Sequence, residues 1–371
     1  MKDTTRFYAV ILAGGSGIRL WPLSRATLPK QLIPVLSEKS LLEEAFDRLE
    51  GVLPVDHRWV CGGARYEAVV RERIPALSTY IGEPVGRDTL AAIGYCCALA
   101  AGADPEAIVA FLTSDHVIRP LEEFSISLSL AFALVEENPD ILLTFGVKPT
   151  FPATAYGYLE LSEPLADDRI RLVRRFKEKP DRVTAEQYCA VGDKQYLWNS
   201  GMFVWRASRF LELLKRYEPE VADAVAKIAA ESDPSARATL MAEIYPDIKK
   251  KSVDYGVMEP ASHDPDVRIA CIPLDLEWKD IGSWTTYGSL AQADESGNAS
   301  MVAASCVDAA PLIFQDTSNT LIVSSDPSHL IACLGCEDIV VVHTADATLI
   351  CLKSKVEDIK KLYGLLNDRY K

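Results

Sequence analysis

Near the start of the chain, the apolar run Tyr8-Ala9-Val10-Ile11-Leu12 breaks without a polar transition into Ala13-Gly14-Gly15-Ser16-Gly17. A continuous apolar strand of this kind belongs in the middle of a sheet covered on both faces, so the chain is constrained to a layered α/β architecture. The glycine-rich turn lets backbone amides approach an anion closely, because glycine has no side chain and tolerates positive φ. Arg19 and Lys30 follow the turn, and Pro22 and Pro29 stiffen the segment between them. Arginine presents a planar fork of donors and lysine a mobile point charge, a pairing suited to a polyphosphate. The loop lacks the Gly-Lys-Ser/Thr ending of a Walker P-loop, and Gly15-Ser16-Gly17 lacks the third glycine of the dinucleotide fingerprint.

The pattern then alternates. Ser40 and Glu43 form a capping box for a helix with Leu42, Ala45, Phe46 and Leu49 on its apolar stripe. Trp59–Gly63 reads as a strand and 64–73 as a helix, and Ala107–Leu112 is a short apolar run of the central-strand type that ends in Thr113-Ser114-Asp115-His116. A helix over 121–137 and a buried strand over 141–147 continue the series. Strands alternating with helices predict a mainly parallel, Rossmann-like sheet flanked by helices, with ligands at the carboxyl ends of the strands. Asp115 sits at such an end, where ligand and turn-cap readings both stand. In Glu83-Pro84-Val85-Gly86-Arg87-Asp88-Thr89, Asp88 or Thr89 reads as the cap of the next helix. A helical stretch runs over 208–230. Beyond about residue 290 short β-rich segments recur at 312–314, 320–323, 330–333, 339–342 and 348–351, closed by a helix at about 356–366. The expected division is therefore 1–290 and a small β-rich domain, 291–371.

With 371 residues and a net charge of −14, the chain repels polyanions as a whole, which excludes non-specific nucleic-acid or acidic-membrane binding. An anionic ligand must be held by a local basic pocket. The apolar stretch around 91–103 is shorter than the ~20 residues that span a bilayer. The start carries no secretory pattern, so a soluble cytoplasmic protein is expected. Nine scattered cysteines fit reduced, packed thiols, and Cys333-Leu334-Gly335-Cys336 has no second pair to complete a zinc site.

Gly14 to Arg25, ending Trp21-Pro22-Leu23-Ser24-Arg25 and followed by Pro29-Lys30-Gln31, resembles the signature of the sugar-1-phosphate nucleotidylyltransferases, specifically the mannose-1-phosphate guanylyltransferases. The resemblance implies a GT-A-like nucleotidyltransferase domain with a β-helix-like tail, acting on GTP and mannose 1-phosphate with Mg2+. It implies nucleotide contacts from Leu12, Ala13, Gly14, Gly15, Ser16 and Gly17 and from Glu83, Arg87, Asp88 and Thr89. The family form Arg-Asn-Thr-Ala-Pro-Ala is here Arg87-Asp88-Thr89-Leu90-Ala91-Ala92, which bears on base choice. Gly157 of Tyr156-Gly157-Tyr158, Glu178 of Phe176-Lys177-Glu178-Lys179-Pro180, and Asn199 would read the sugar. Lys179 would hold its phosphate, while Arg19 and Lys30 neutralise the leaving pyrophosphate. Asp115 and Asp280 would be the metal ligands. Asp254-Tyr255-Gly256-Val257-Met258-Glu259 matches another family element, with Gly256 in place of alanine. Relatives that continue into a cupin-type isomerase imply that this chain lacks that activity, and family habit implies a homodimer through the tail.

The reaction implied is attack by the sugar phosphate on the α-phosphorus of a nucleoside triphosphate, with no covalent enzyme intermediate. Two alternatives remain beside it: a nucleotidylyltransferase for another base or hexose, and a silent regulatory homologue that binds sugar nucleotide.

Overall fold

The structure, a computed structural model, describes residues 5–15, 17–35, 38–165, 169–302 and 311–371. The chain divides into two compact units: 1–14, 46–113 and 118–278 in the first, and 15–45, 114–117 and 279–371 in the second.

The first unit is built on a nine-stranded sheet. Its strands are β1 (Phe7–Ala13), β2 (Arg58–Gly63), β3 (Thr79–Glu83), β4 (Ile108–Thr113), β6 (Ile141–Val147), β7 (Tyr158–Pro164), β8 (Arg171–Lys177), β9 (Tyr196–Arg206) and β10 (Arg268–Leu274). The intervening β5 (His116–Arg119) pairs with β11 (Glu277–Asp280). The large sheet is ordered β3-β2-β1-β4-β9-β6-β10-β8-β7. Its first four strands are parallel, as the alternating pattern requires. The eleven-residue β9 then enters antiparallel between β4 and β6, making the sheet mixed. The charged strand β8 is hydrogen-bonded on both sides, to β10 and β7. Val173 and Phe176 are buried while Arg174, Arg175 and Lys177 stay exposed; a register shift against β7 between Arg175 and Val173 breaks the strict alternation of faces and leaves both arginines outside.

Helix Thr89–Ala103 is buried along most of its length because its residues are small: a Cβ on Gly94 would come within 2.8 Å of Leu214. Helices Ala207–Tyr217 and Pro219–Ala229 pack on it. The single helical stretch expected over 208–230 is thus two helices, broken at Glu218. Proline disfavours helical backbone in the residue before it and is well placed at the first helical position, where Pro219 sits.

In the second unit, β12 (Ala299–Val302), β14 (Leu321–Ser324) and β16 (Ile339–His343) run parallel, with β17 (Thr348–Leu352) antiparallel beside β16. The strands between them in sequence, β13 (Leu312–Gln315) and β15 (Ile331–Leu334), form a second parallel pair. Alternate strands joining alternate sheets make successive coils, with Ile322, Cys333 and Val341 buried inside. The turns are held by side chains: Asn298 Nδ2 donates to the Thr317 carbonyl, and Thr317 Oγ1 donates to that of Cys333. The closing helix is shorter than expected. Residues Lys353–Asp358 form tighter 3-10 turns before the α-helix Ile359–Gly364.

The eight described cysteines are free thiols. Among the described residues no helix is long and apolar enough to cross a membrane.

Candidate active site

In the second unit the glycine turn leads into a short 3-10 helix, Ile18–Leu20, started by Gly17 in the left-handed region (φ 60°). A Cβ on Gly17 would lie 2.2 Å from the Cβ of Lys30, so this position needs glycine for both conformation and space. Ser24 Oγ donates to the Gly17 carbonyl at 2.8 Å. The Trp-Pro-Leu-Ser-Arg segment is clamped by chain more than three hundred residues away. Trp21 Nε1 and Arg25 donate to the Tyr370 carbonyl, the amide of Ala26 donates to that of Lys371, and Arg25 also reaches Asp346 at 2.6 Å. The buried indole of Trp284 donates to the Trp21 carbonyl. Ser283 caps the helix that carries Trp284.

That frame buries Lys30, whose Nζ lies 2.7 Å from Asp115 Oδ2 and 3.4 Å from Asp280 Oδ1. The amide of Ile281 donates to the Asp115 carbonyl, fixing the two acidic segments together. His116 Nε2 is 3.7 Å from Asp115 and 4.0 Å from Asp280. Burial alone would raise the Asp115 carboxyl, but the charges of Lys30 and His116 hold it below the ordinary aspartate range. Burial likewise works against the Lys30 ammonium, and the two aspartates more than offset it, raising its pKa. Asp115, His116 and Asp280 form a group of metal-ligand type, and an ammonium already sits against both carboxylates, so the site fits a cation. Arg19 Nε lies 2.7 Å from Glu357 Oε2, so this cation is engaged within its own unit. Ser16 lies outside the described residues.

In the first unit, Gly157, Glu178 and Asn199 come together. The Asn199 amide donates to the Gly157 carbonyl at 2.8 Å, and a Cβ on Gly157 would lie 2.6 Å from Glu178 Oε2. Glycine therefore makes room for a buried carboxylate. Lys179, with φ 43°, turns back so that Nζ meets Glu178 Oε1 at 2.6 Å. Asn199 is oriented by Thr144, which donates to its Oδ1, and its Nδ2 donates to Asp254 at 3.0 Å. Burial, followed by the Glu178 charge, pushes the Asp254 carboxyl up to about 7. Sequence reading placed Asp254 in a family element without giving it a role; its partners Asn199 and Glu178 are far away along the chain, a separation no local pattern reports.

Asp88 does cap helix Thr89–Ala103, with Oδ1 accepting from the Thr89 amide at 2.9 Å. Thr89 Oγ1 accepts from the Val253 amide. Glu83 is buried and accepts from the hydroxyl of Tyr245 at 2.6 Å, with burial raising its pKa. The Nε of Arg87 is buried with no hydrogen-bond partner among the described residues. An open cleft is lined by Asp88, Lys179, Lys250, Lys251, Ser252 and Tyr255, and so runs between the cap of helix Thr89–Ala103 and the lysine paired with Glu178. Leu12, Ala13 and Gly14 lie at the carboxyl end of β1 in this unit, while Gly15 and Gly17 belong to the second.

A mixed sheet with four parallel strands, a glycine turn after β1 and a lysine held against two carboxylates accord with a nucleotide-transferring enzyme, and the chain belongs to the nucleotidyl transferase family, which it matches over residues 8–297. Residues 312–366 match a second family, the MannoseP isomerase/GMP-like beta-helix domain, in agreement with the coils. Among its relatives, the xanthan biosynthesis protein XanB of Xanthomonas campestris pv. campestris (strain B100) is 37% identical over 364 residues, covering 95% of this chain and 72% of that protein. The mannose-1-phosphate guanylyltransferase of Escherichia coli (strain K12) is 34% identical over 368 residues, covering 96% and 73%. A crystal structure from Thermus thermophilus, described as a mannose-1-phosphate geranyltransferase, superposes with a TM-score of 0.83 at 27% identity, covering 97% of this chain and 98% of that one.

Proposed function

We propose that the protein transfers GMP from GTP to α-D-mannose 1-phosphate, giving GDP-mannose and pyrophosphate by direct displacement. The observation that carries this reading is the cluster of Lys30, Asp115 and Asp280, a buried cation against two carboxylates in a chain whose relatives include a mannose-1-phosphate guanylyltransferase. Asp115 and Asp280 would hold Mg2+, a cation that takes a few carboxylates together with phosphate oxygens. When bound, the ion would neutralise phosphate charge. Lys30 and Arg19 face the charge of the leaving pyrophosphate, which for Arg19 requires release from Glu357. The amides of residues 12–17 cradle the nucleotide phosphates, and Glu83, Arg87, Asp88 and Thr89 flank the base.

On the acceptor side, Glu178 and Asn199 read sugar hydroxyls, Gly157 leaves the space for them, and Lys179 steers the phosphate. Positioning and electrostatics suffice for such a transfer. In this reading residues 1–290 are the catalytic domain and 291–371 a β-helix-like domain through which two copies pair. In this reading the enzyme works in the cytoplasm, in keeping with nucleoside triphosphate and sugar phosphate substrates.

Pyrophosphate release with Mg2+ over a grid of GTP, ATP, UTP, CTP and dTTP against mannose, glucose and N-acetylglucosamine 1-phosphates tests the proposal. A dominant signal for GTP with mannose 1-phosphate supports it, and a dominant signal elsewhere refutes the substrate assignment. Silence throughout, with GDP-mannose still raising Tm, would indicate a regulatory homologue instead.

A further inference from the structure

The β-helix carries a second group of ligand-type side chains that the transfer reaction does not use. Asp326 and His329 stand on the turn after β14, and His343 is the last residue of β16, the neighbouring strand. One donor atom from each lies within 4.8 Å of the other two. The two imidazoles stack with centroids 4.1 Å apart, which sets their ring nitrogens on adjacent levels. His329 is exposed, so rotation about its outer torsion can turn its lone pair toward the others, while Asp326 and His343 are partly buried.

The surroundings prepare each donor. His343 Nδ1 lies 2.9 Å from Thr348 Oγ1, which engages that nitrogen and reserves Nε2 for a ligand. The amide and hydroxyl of Ser328 both donate to Asp326 Oδ1, at 2.9 and 2.7 Å, and leave the other carboxylate oxygen for coordination. Ser324 Oγ donates to the Asp326 carbonyl and accepts from its amide, fixing the turn. The Ser325 amide donates to the His343 carbonyl, tying the turn to the strand that carries the third donor.

We propose that Asp326, His329 and His343 bind a divalent transition-metal ion of the Zn2+ or Co2+ class, which staples the turn after β14 to β16. Two imidazole nitrogens and one carboxylate oxygen suit a borderline ion, with water in the fourth position. This donor set differs in kind from the oxygen-rich pair of Asp115 and Asp280, which suits a harder cation. The site stands on donors in the second unit alone and does not depend on the substrate assignment.

The test is a Co2+ titration of the whole metal-free protein under saturating Mg2+, read by visible absorption and bound-metal stoichiometry. It is run on the wild type and on His329→Ala, His343→Ala and Asp326→Asn. The wild type should bind one more Co2+ per chain than either histidine variant, and Zn2+ should raise its Tm but not theirs. Asp326→Asn should retain the ion with weaker affinity. Mg2+-dependent turnover at its wild-type rate would show that the variants are folded, and a variant that loses turnover would be replaced by His329→Gln or His343→Gln. Equal Co2+ stoichiometry and equal Zn2+ shifts across wild type and variants would overturn the proposal.

Discussion

Replacing Lys30 by alanine removes a positive charge held 2.7 Å from one carboxylate and 3.4 Å from another. With an effective dielectric of about 20, these contacts are worth roughly 6 and 5 kcal/mol of gross attraction. Most of that is offset by the cost of taking the ammonium out of water. What remains after the mutation is a pair of facing carboxylates without a counter-charge. Removing one partner from a fully buried pair costs about 3–5 kcal/mol. Asp115 and Asp280 retain 30% and 28% exposure, which lets water screen them, so we expect Lys30→Ala to lose about 2–4 kcal/mol at neutral pH. Sequence reasoning would make Lys30 a purely catalytic residue whose loss leaves stability nearly unchanged; burial against two aspartates predicts otherwise.

Since the Asp115 pKa is depressed by Lys30, this stabilisation is present above the unfolded carboxylate pKa and fades as pH falls through the folded one. The assay is thermal unfolding of wild type and variant at neutral and acid pH, with and without Mg2+. The variant should melt about 5 °C lower at neutral pH. Mg2+ should restore more stability to it than to the wild type, because the cation can take the place of the ammonium. Equal melting temperatures at neutral pH without Mg2+, or identical Mg2+ shifts in both proteins, would refute the reasoning.

Gly17→Ala should cut turnover at least tenfold and lower Tm, because left-handed backbone and a 2.2 Å approach to the Lys30 Cβ both oppose the methyl group; steady-state kinetics with a melting curve checks this. Asp115→Asn and Asp280→Asn should each raise the Mg2+ concentration needed for half-maximal turnover, and unchanged titrations would remove them as metal ligands. Asp254, raised to about 7, binds its proton more tightly in the folded state, so its contribution to stability is greatest at acid pH and falls as pH rises toward 7. Asp254→Asn should therefore gain stability relative to wild type between pH 5 and pH 8, on the scale of about 2 kcal/mol; a constant difference across that range would contradict the assignment. Gly157→Ala should raise KM for the sugar phosphate by displacing Glu178, a change visible in substrate-saturation curves.

Much of this fold can be read directly from the residues. The run over 107–112 is apolar on both faces, so Asp115 had to lie just beyond the end of a central strand, and it does. The short strands after residue 311 are marked by β-branched runs between Asp, Ser and Gly turns, and each falls within about two residues of its expected span. The antiparallel entry of β9 was not legible, because a buried strand has the same composition in either direction. Nor was the contact of Lys30 with Asp280, 250 positions away, since residue type fixes what a side chain can bind but not what it meets. The same holds for Tyr245 on Glu83 and for Asp254 beside Asn199.

The clamps on the loop at 21–26 have a consequence for how the molecule is made. Its partners at Asp346, Tyr370 and Lys371 leave the ribosome after every strand of the large sheet has emerged. The sheet can therefore pair while the loop that follows its central strand is still unfastened. Catalytic competence would then come after the sheet has paired, and a product broken off before residue 346 would carry the sheet without a set loop.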